Sequence, residues 1–164
     1  MVLDGELPDP PTNSQMKHTA LDGLRTGLAA AALAAAAFAQ TPLTFGNLLV
    51  TRVGDGSATL TSAATPVFVD EYTPTGTLVQ SIAMPTVASG LNQPFTNSGS
   101  ASSEGFLNVS ANGLYVLLAG YNAAPGTLTV ATSANPTVAR VVAGIDLAGN
   151  VDTSTALGDA YTGS

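Results

Sequence analysis

Turn-forming residues interrupt this sequence every few positions, and the intervals between them are too short for helices. From Gln40 onward, Gly, Pro, Asn, Ser and Thr recur throughout, and no window of a dozen residues keeps the apolar spacing of an amphipathic helix. The intervals are instead rich in β-branched and aromatic residues, which favour extended backbone. The sequence therefore predicts an all-β fold built from antiparallel hairpins.

Eight intervals have the length and composition of strands. They are residues 47–53, 66–72, 77–83, 105–110, 114–121, 126–131, 137–146 and 150–155. The longest segment without a strand signal, 87–103, is rich in Ser, Asn and Gly and predicts a surface loop. Asn112-Gly113 joins two of the strands, and this dipeptide is typical of a tight hairpin whose turn residues have positive φ.

Residues 16–39 have the layout of a helical secretory signal peptide. Lys17, His18 and Arg25 form a basic head, a run that is mostly alanine follows, and Ala37-Phe38-Ala39 places small residues where a signal peptidase cleaves. The uncharged apolar run is about twelve residues long, whereas a membrane span needs about 20. We expect a cleaved signal and a protein that is secreted, periplasmic or held at the cell surface.

Residues 1–15 precede this signal and are acidic and proline-rich, with no basic residue. A signal peptide begins with a basic head, so translation starting at Met16 explains this extension best. The alternative is a disordered cytosolic overhang on an uncleaved anchor. The expected organisation is therefore a misassigned or disordered extension at 1–15, a signal peptide at 16–39 and a β-rich domain at 40–164.

The domain at 40–164 is acidic, since Arg52 and Arg140 are its only basic residues against seven carboxylates. Such a surface cannot neutralise a phosphate backbone, which excludes nucleic acid as a partner and disfavours anionic membranes. We expect this domain to be soluble once the signal is cleaved. There is no cysteine, so an exported domain has no disulfides and depends on packing and backbone pairing.

The same domain contains no His, Cys or Lys. This excludes histidine-activated nucleophiles, lysine Schiff bases and the usual zinc ligands, and we expect no cofactor. Asp70 and Glu71 are adjacent on a predicted strand and point to opposite faces, one to solvent and one to a loop or channel rim. Folding could bring either one to Glu104 as a glycosidase-type pair, but their spacing does not require it.

Asp146, Asn150 and Asp152 are weak candidates for a metal site. They place oxygen-bearing side chains across a predicted turn, and calcium accepts such ligands. The segment lacks the density of acidic ligands found in a calcium-binding loop. A hairpin with polar flanks is the better interpretation, and we expect no specific calcium binding.

A weak internal repeat appears when Gly76 is aligned with Gly149, a spacing of 73 residues. Residues 72–78 then match 145–151 as strand, glycine turn and strand. Between them lies a different hairpin at 105–121, which contains SANGLYV at 110–116. This alternation resembles exported bacterial β-propeller repeat proteins over roughly 45–161. The resemblance implies about four to eight blades of ~40 residues or more around a channel.

Residues 40–164 have room for two to three such blades, so the resemblance implies an N-terminal fragment of a longer propeller. The alternative is a complete β-sandwich of about eight strands. In a fragment, strands 114–121 and 137–146 would be unpaired, and self-association through open sheet edges is expected.

These features predict an exported β-repeat module with a non-catalytic binding or cell-surface scaffold role. Its partner would be an extracellular protein or a carbohydrate. Enzyme function is left open but disfavoured. The alternative is the N-terminal part of a propeller hydrolase or lactonase whose catalytic residues lie in missing downstream blades.

Overall fold

The computed structural model describes residues 41–135 and 137–160. The predicted extension at 1–15 and the predicted signal peptide at 16–39 with its cleavage site therefore lie outside the described residues. The described fold is all-β, and its strands are β1 (Leu48–Val53), β2 (Ala64–Tyr72), β3 (Leu78–Ala83), β4 (Thr96–Ser98), β5 (Asn108–Val109), β6 (Tyr115–Tyr121), β7 (Arg140–Asp146) and β8 (Val151–Leu157). In this part of the chain no helix is long and apolar enough to cross a membrane.

The eight strands form one open antiparallel sheet. Its order is β1-β2-β4-β6-β7-β8, with β3 added to β2 and β5 added to β6. Strand β2 connects two parts of the sheet. Its residues Val67–Tyr72 pair with β1, and Phe68–Tyr72 also pair with β3 on the other side. Its first residues, Ala64–Pro66, pair with β4. We call β1-β2-β3 the first meander and β6-β7-β8 the second meander.

The hairpins of the two meanders have the same turn geometry, 73 residues apart. Between β2 and β3, the Gly76 N–H donates to the Thr73 carbonyl at 2.9 Å and the Thr77 N–H donates to the Thr73 hydroxyl at 3.1 Å. The turn between β7 and β8 has two equivalent bonds. The Gly149 N–H donates to the Asp146 carbonyl at 3.0 Å, and the Asn150 N–H donates to Asp146 Oδ1 at 2.8 Å. Both glycines have φ near +87°, which glycine adopts without steric cost. Each third strand also carries a β-bulge.

The hydrophobic core lies between the two meanders. The first meander and the segment that follows it contribute Val67, Val69, Ile82, Met84 and Phe95, and the second contributes Leu118, Val141, Ala143 and Ile145. Side chains alternate along a strand, so each meander buries one face in this core and turns the other outward. We call these the core face and the outer face of each meander.

Two strand predictions and one loop prediction need correction. Residues 126–131 form no strand, because Val130 alone of this segment is fully buried and Thr129 takes a left-handed φ of +48° before a 3₁₀ turn, Val130–Thr132. The predicted surface loop at 87–103 contains β4, whose start is anchored by Phe95, fully buried in the core. Of the predicted strand at 105–110, only Asn108–Val109 is extended.

The Asn112-Gly113 hairpin is wider than its sequence predicts. Gly113 has a φ of +70°, but Asn112 does not enter the left-handed region. Its carboxamide oxygen instead accepts hydrogen bonds from the Ser110 hydroxyl at 2.7 Å and the Leu114 N–H at 3.1 Å. The asparagine therefore closes the turn as a side-chain acceptor.

The prediction that strands 114–121 and 137–146 are unpaired is also wrong. They correspond to β6 and β7, which lie inside the sheet. Strand β6 pairs with β4 and β5 on one side and with β7 on the other, and β7 continues to β8. Among the described strands, β1, β3, β5 and β8 each have a single partner and form the edges.

Candidate functional site

A cleft lies on the outer face of the second meander. It has a volume of about 570 Å³, and Ala119, Val142 and Leu157 form much of its floor. Ala119 and Val142 are direct partners on β6 and β7, so their side chains lie on the same face. Polar groups border this floor at Glu104 and Arg140.

Glu104 and Tyr121 form a short hydrogen bond at this border. The Tyr121 hydroxyl donates to Glu104 Oε1 at 2.5 Å, and the Ser98 N–H donates to Glu104 Oε2 at 2.9 Å. Burial, together with the hydrogen bond and charge of Glu104, raises the pKa of Tyr121 to about 12. The phenol therefore stays protonated at neutral pH, and Glu104 acts as a fixed acceptor.

Arg140 lies beside this pair, with its guanidinium 4.7 Å from the centre of the Tyr121 ring. Its Nη1 donates to the Val138 carbonyl at 2.6 Å and its Nη2 donates to the Ser133 carbonyl at 2.8 Å. In residues 41–135 and 137–160, the ion pair between Arg52 and Asp70 is the only one. The charge of Arg140 is therefore held in place by stacking and backbone carbonyls.

The outer face of the first meander is centred on a second polar cluster. Arg52 donates from Nε to Asp70 Oδ2 at 2.7 Å and from Nη2 to Asp70 Oδ1 at 3.1 Å, while the Ser81 hydroxyl donates to Oδ1 at 2.5 Å. The guanidinium also lies 4.2 Å from the centre of the Phe68 ring. Burial raises the pKa of Asp70, but the bonds from Arg52 and Ser81 outweigh it and hold the pKa below its ordinary value.

Glu71 occupies the opposite face of the same strand. It accepts from the Thr44 N–H at 2.8 Å, the Asn47 amide at 2.7 Å and the Gln80 amide at 2.7 Å. Burial raises the pKa of Glu71. These hydrogen bonds lower it, the one from Gln80 having the largest effect, and the pKa lies below its ordinary value. The carboxylate therefore joins the segment before β1 to β2 and β3.

The prediction that Asp70 and Glu71 point to opposite faces is confirmed. The prediction that one of them faces solvent is wrong, because they are 3% and 0% exposed. Arg52 covers Asp70, and the segment around Thr44 covers Glu71. Neither shares a hydrogen-bond partner with Glu104, so the described contacts do not assemble a pair of acids of the glycosidase type.

The calcium candidates are only partly brought together. The Asn150 N–H donates to Asp146 Oδ1 and the Asn150 amide donates to Asp146 Oδ2, both at 2.8 Å. Asp152 instead accepts from the Ser154 N–H at 2.8 Å and borders a shallow depression with Asn92. Within the described ranges, no three His, Cys, Asp or Glu side chains are grouped to hold a metal ion. These are the contacts of a polar hairpin turn.

Sequence reasoning missed the grouping of Glu104, Tyr121 and Arg140. Tyr121 pairs directly with Arg140 across β6 and β7, but this neighbourhood depends on the register of two strands that 18 residues separate. No local motif carries that register. Among the predicted strands, Tyr121 ends 114–121, Glu104 directly precedes 105–110 and Arg140 lies within 137–146, which gives no common signal.

Comparisons with known proteins add no relative to these observations. No protein-family model matches the chain, and neither a curated protein nor a solved structure matches it. Its role is therefore argued from its own contacts.

Proposed function

We propose that this chain is an exported β-repeat module of β-propeller type with a non-catalytic binding or scaffold role. The observation that carries the proposal is that the two meanders contact each other through opposite faces. The surfaces available for binding are then the two outer faces, one on each meander.

The matching hairpin turns equate each residue of β2 with the residue 73 positions later in β7. Val69 equates with Val142, and Asp70 equates with Ala143. Val69 lies in the shared core, whereas Val142 lies on the outer face and lines the cleft. Ala143 lies in the core, whereas Asp70 belongs to the outer cluster. Equivalent residues therefore have opposite environments.

The first strands of the meanders follow the same rule. Leu48 pairs with Tyr72, and Val116 pairs with Ile145. Because Ile145 is the equivalent of Tyr72, their partners Leu48 and Val116 are also equivalent. Each residue of β1 therefore corresponds to the residue 68 positions later in β6. Val50 then equates with Leu118. Val50 is 49% exposed, whereas Leu118 is 3% exposed in the core.

A contact between opposite faces is a head-to-tail contact, and it leaves one unused face at each end of the pair. Blades of a propeller pack in this way around their channel. A sandwich of two such repeats related by a two-fold axis would bury the same face of each. The head-to-tail contact therefore supports the propeller over the sandwich.

The non-catalytic role is supported by how the acids are used. Asp70, Glu71 and Glu104 are each held by two or more hydrogen bonds that fix other parts of the fold. A hydrolase and lactonase screen of the full-length chain tests this role, and we expect no turnover. Turnover that Glu104→Gln or Asp70→Asn abolishes in a folded variant would overturn it.

Export is tested separately, by sequencing the N-terminus of the protein recovered from a bacterial periplasm or medium. We expect a start near Gln40. A recovered chain that still starts at Met16 would contradict signal cleavage.

The second candidate function is part of a propeller hydrolase or lactonase with catalytic residues in further blades. It is favoured by the two outer faces, which expose apolar side chains such as Leu48 and Leu78 on the first meander and Tyr115 on the second. The reading frame beyond codon 164 tests it. Further hairpins of the same type would support this candidate, and an immediate stop codon would remove it.

A further inference from the structure

We propose that copies of this chain associate head to tail, with the outer face of the first meander in one copy packed on the outer face of the second meander in the next. This rests on the propeller-type packing of the proposed function and names its partner, a second copy of the chain.

The outer face of the first meander is apolar around a neutral centre. Leu48, Tyr72 and Leu78 are direct partners across the three strands and lie side by side. Leu48 and Leu78 are 57% and 52% exposed, and Val50 next to them is also exposed. The centre is the ion pair of Arg52 with Asp70. A surface of this kind favours burial against another protein.

The outer face of the second meander offers a complementary recess. Ala119 is exposed, Val142 beside it is half-buried, and both line the cleft of about 570 Å³. Gly144, in the same strand as Val142, contributes no side chain, and a Cβ built there would lie 3.7 Å from both Tyr115 and Leu117. Projecting leucines on one face therefore meet a recess on the other.

The contact inside the chain is the template for this association. The core joins Leu118 and Ala143 of the second meander to Val67 and Val69 of the first. Their equivalents on the outer faces are Val50, Asp70, Arg140 and Val142. The equivalents of these four core positions thus all lie on the outer faces, with Asp70 beneath the side chain of Arg52.

The charges at these positions are compatible with the contact. Val67 and Ala143 are both apolar in the core, and their equivalents Arg140 and Asp70 have opposite signs. The outer face of the first meander carries Arg52 with Asp70, and that of the second carries Arg140 with Glu104 and Asp146. The contact therefore does not oppose two faces of like net charge.

A head-to-tail contact closes into a ring when its rotation permits. Each copy supplies two meanders, so roughly two to four copies make the about four to eight blades of known propellers. We expect a closed oligomer in that range.

The test uses the full chain and three single variants that each add one carboxylate. Val50→Glu changes the outer face of the first meander, and Ala119→Glu changes that of the second. Val87→Glu is the matched control, because Val87 is 70% exposed in the segment between β3 and β4 and belongs to neither face. Circular dichroism and cooperative unfolding confirm that each variant is folded, and light scattering after size exclusion gives its mass.

Wild type and Val87→Glu should form the same oligomer. Each face variant should be monomeric, with association weakened by about 100-fold or more because an unpaired carboxylate would be buried. An equimolar mixture of Val50→Glu with Ala119→Glu should form a one-to-one dimer, since each retains the face that the other lacks. Association through a single face would instead leave one variant as a homodimer and the mixture without a new species.

The proposal is overturned if the wild type is monomeric at about 100 µM, if either face variant keeps the wild-type mass, or if the mixture stays monomeric. These outcomes are independent of the hydrolase screen. A result that overturns the association therefore leaves the non-catalytic role untouched, and the two proposals are tested separately.

Discussion

Gly120 is the position at which one added methyl group should cost the most. It lies in β6, and a Cβ built on it would be 2.6 Å from Phe95 Cζ, 2.8 Å from Phe95 Cε2 and 2.8 Å from the Asn97 side chain. All three distances are well inside van der Waals contact. Phe95 and Asn97 are both 0% exposed, so neither has room to move away.

Overpacking of this kind costs about 1–3 kcal/mol, and we place Gly120→Ala at about 2–3 kcal/mol because two buried groups are displaced at once. For a domain of this size that is roughly 6–15 °C in Tm. Urea unfolding followed by circular dichroism measures it directly. Gly120 does not have a positive φ, so backbone strain does not contribute.

Gly144→Ala is the matched control, since the same change is made in the neighbouring strand. A Cβ there would meet only Leu117 and Tyr115, both at 3.7 Å, which is ordinary contact. Replacing glycine in a strand also reduces the entropy of the unfolded chain, so we expect a gain of about 0.4–1 kcal/mol. The reasoning is refuted if Gly120→Ala is within about 0.5 kcal/mol of wild type, or if Gly144→Ala is equally destabilising.

Three further predictions concern charge. The pKa of Tyr121 is raised to about 12 in the folded protein. This shift contributes stability that is complete below pH ~10 and is lost as the pH rises toward the folded pKa. In thermal melts taken between these two pH values, Tyr121→Phe should remove this alkaline loss of stability. The lowered pKa of Asp70 contributes stability above pH ~4 that is lost as pH falls through the folded pKa. Asp70→Asn should therefore lose about 1–2 kcal/mol at pH 7, a figure discounted because the Arg52 side chain is 39% exposed, and should unfold less steeply in acid; an unchanged acid profile would contradict this. Calorimetric titration with calcium should show no stoichiometric uptake, and uptake that Asp152→Ala abolishes would prove this prediction wrong.

Most strands could be predicted because their ends are set by local chemistry. The turn at Gly76 needs only a glycine at positive φ and a hydroxyl three residues earlier, and the sequence displays both. At Gly149 the carboxylate of Asp146 takes the place of that hydroxyl. Alternation of side chains then gives the two faces of each strand, as it does for Asp70 and Glu71.

The failures occur where a distant contact decides the local structure. Residues 126–131 look like a strand, but Val130 packs with Ala64, Ala123 and Val138 in a small separate cluster, and the backbone curls to place it there. Strand β4 is Thr-Asn-Ser, a composition typical of loops. It is extended because Phe95 fills the core beside it and β2 and β6 supply its partners.

The cleft could not be predicted from the sequence, for the same reason. Tyr121, Arg140 and Glu104 meet only once β6 and β7 take their register and the segment after β4 folds back to Ser98. Each residue alone has an ordinary structural interpretation. Their grouping depends on the tertiary structure.

Adjacent buried acids on β2 are costly for stability, and we infer that they specify its register. Asp70 fits a cluster with Arg52 and Ser81, and Glu71 fits one made by amide and backbone donors on the other face. A shift of one residue exchanges the two faces of a strand. Shifted one way, Glu71 would take the place of Asp70, and Asp70 would take the place of Val69 among the apolar side chains of the core, an uncompensated buried charge. Shifted the other way, Asp70 would take the place of Glu71, and Arg52 would lose its carboxylate partner. Val67 and Val69 would leave the core in the same shift, so the polar and the apolar pattern of β2 select the same register.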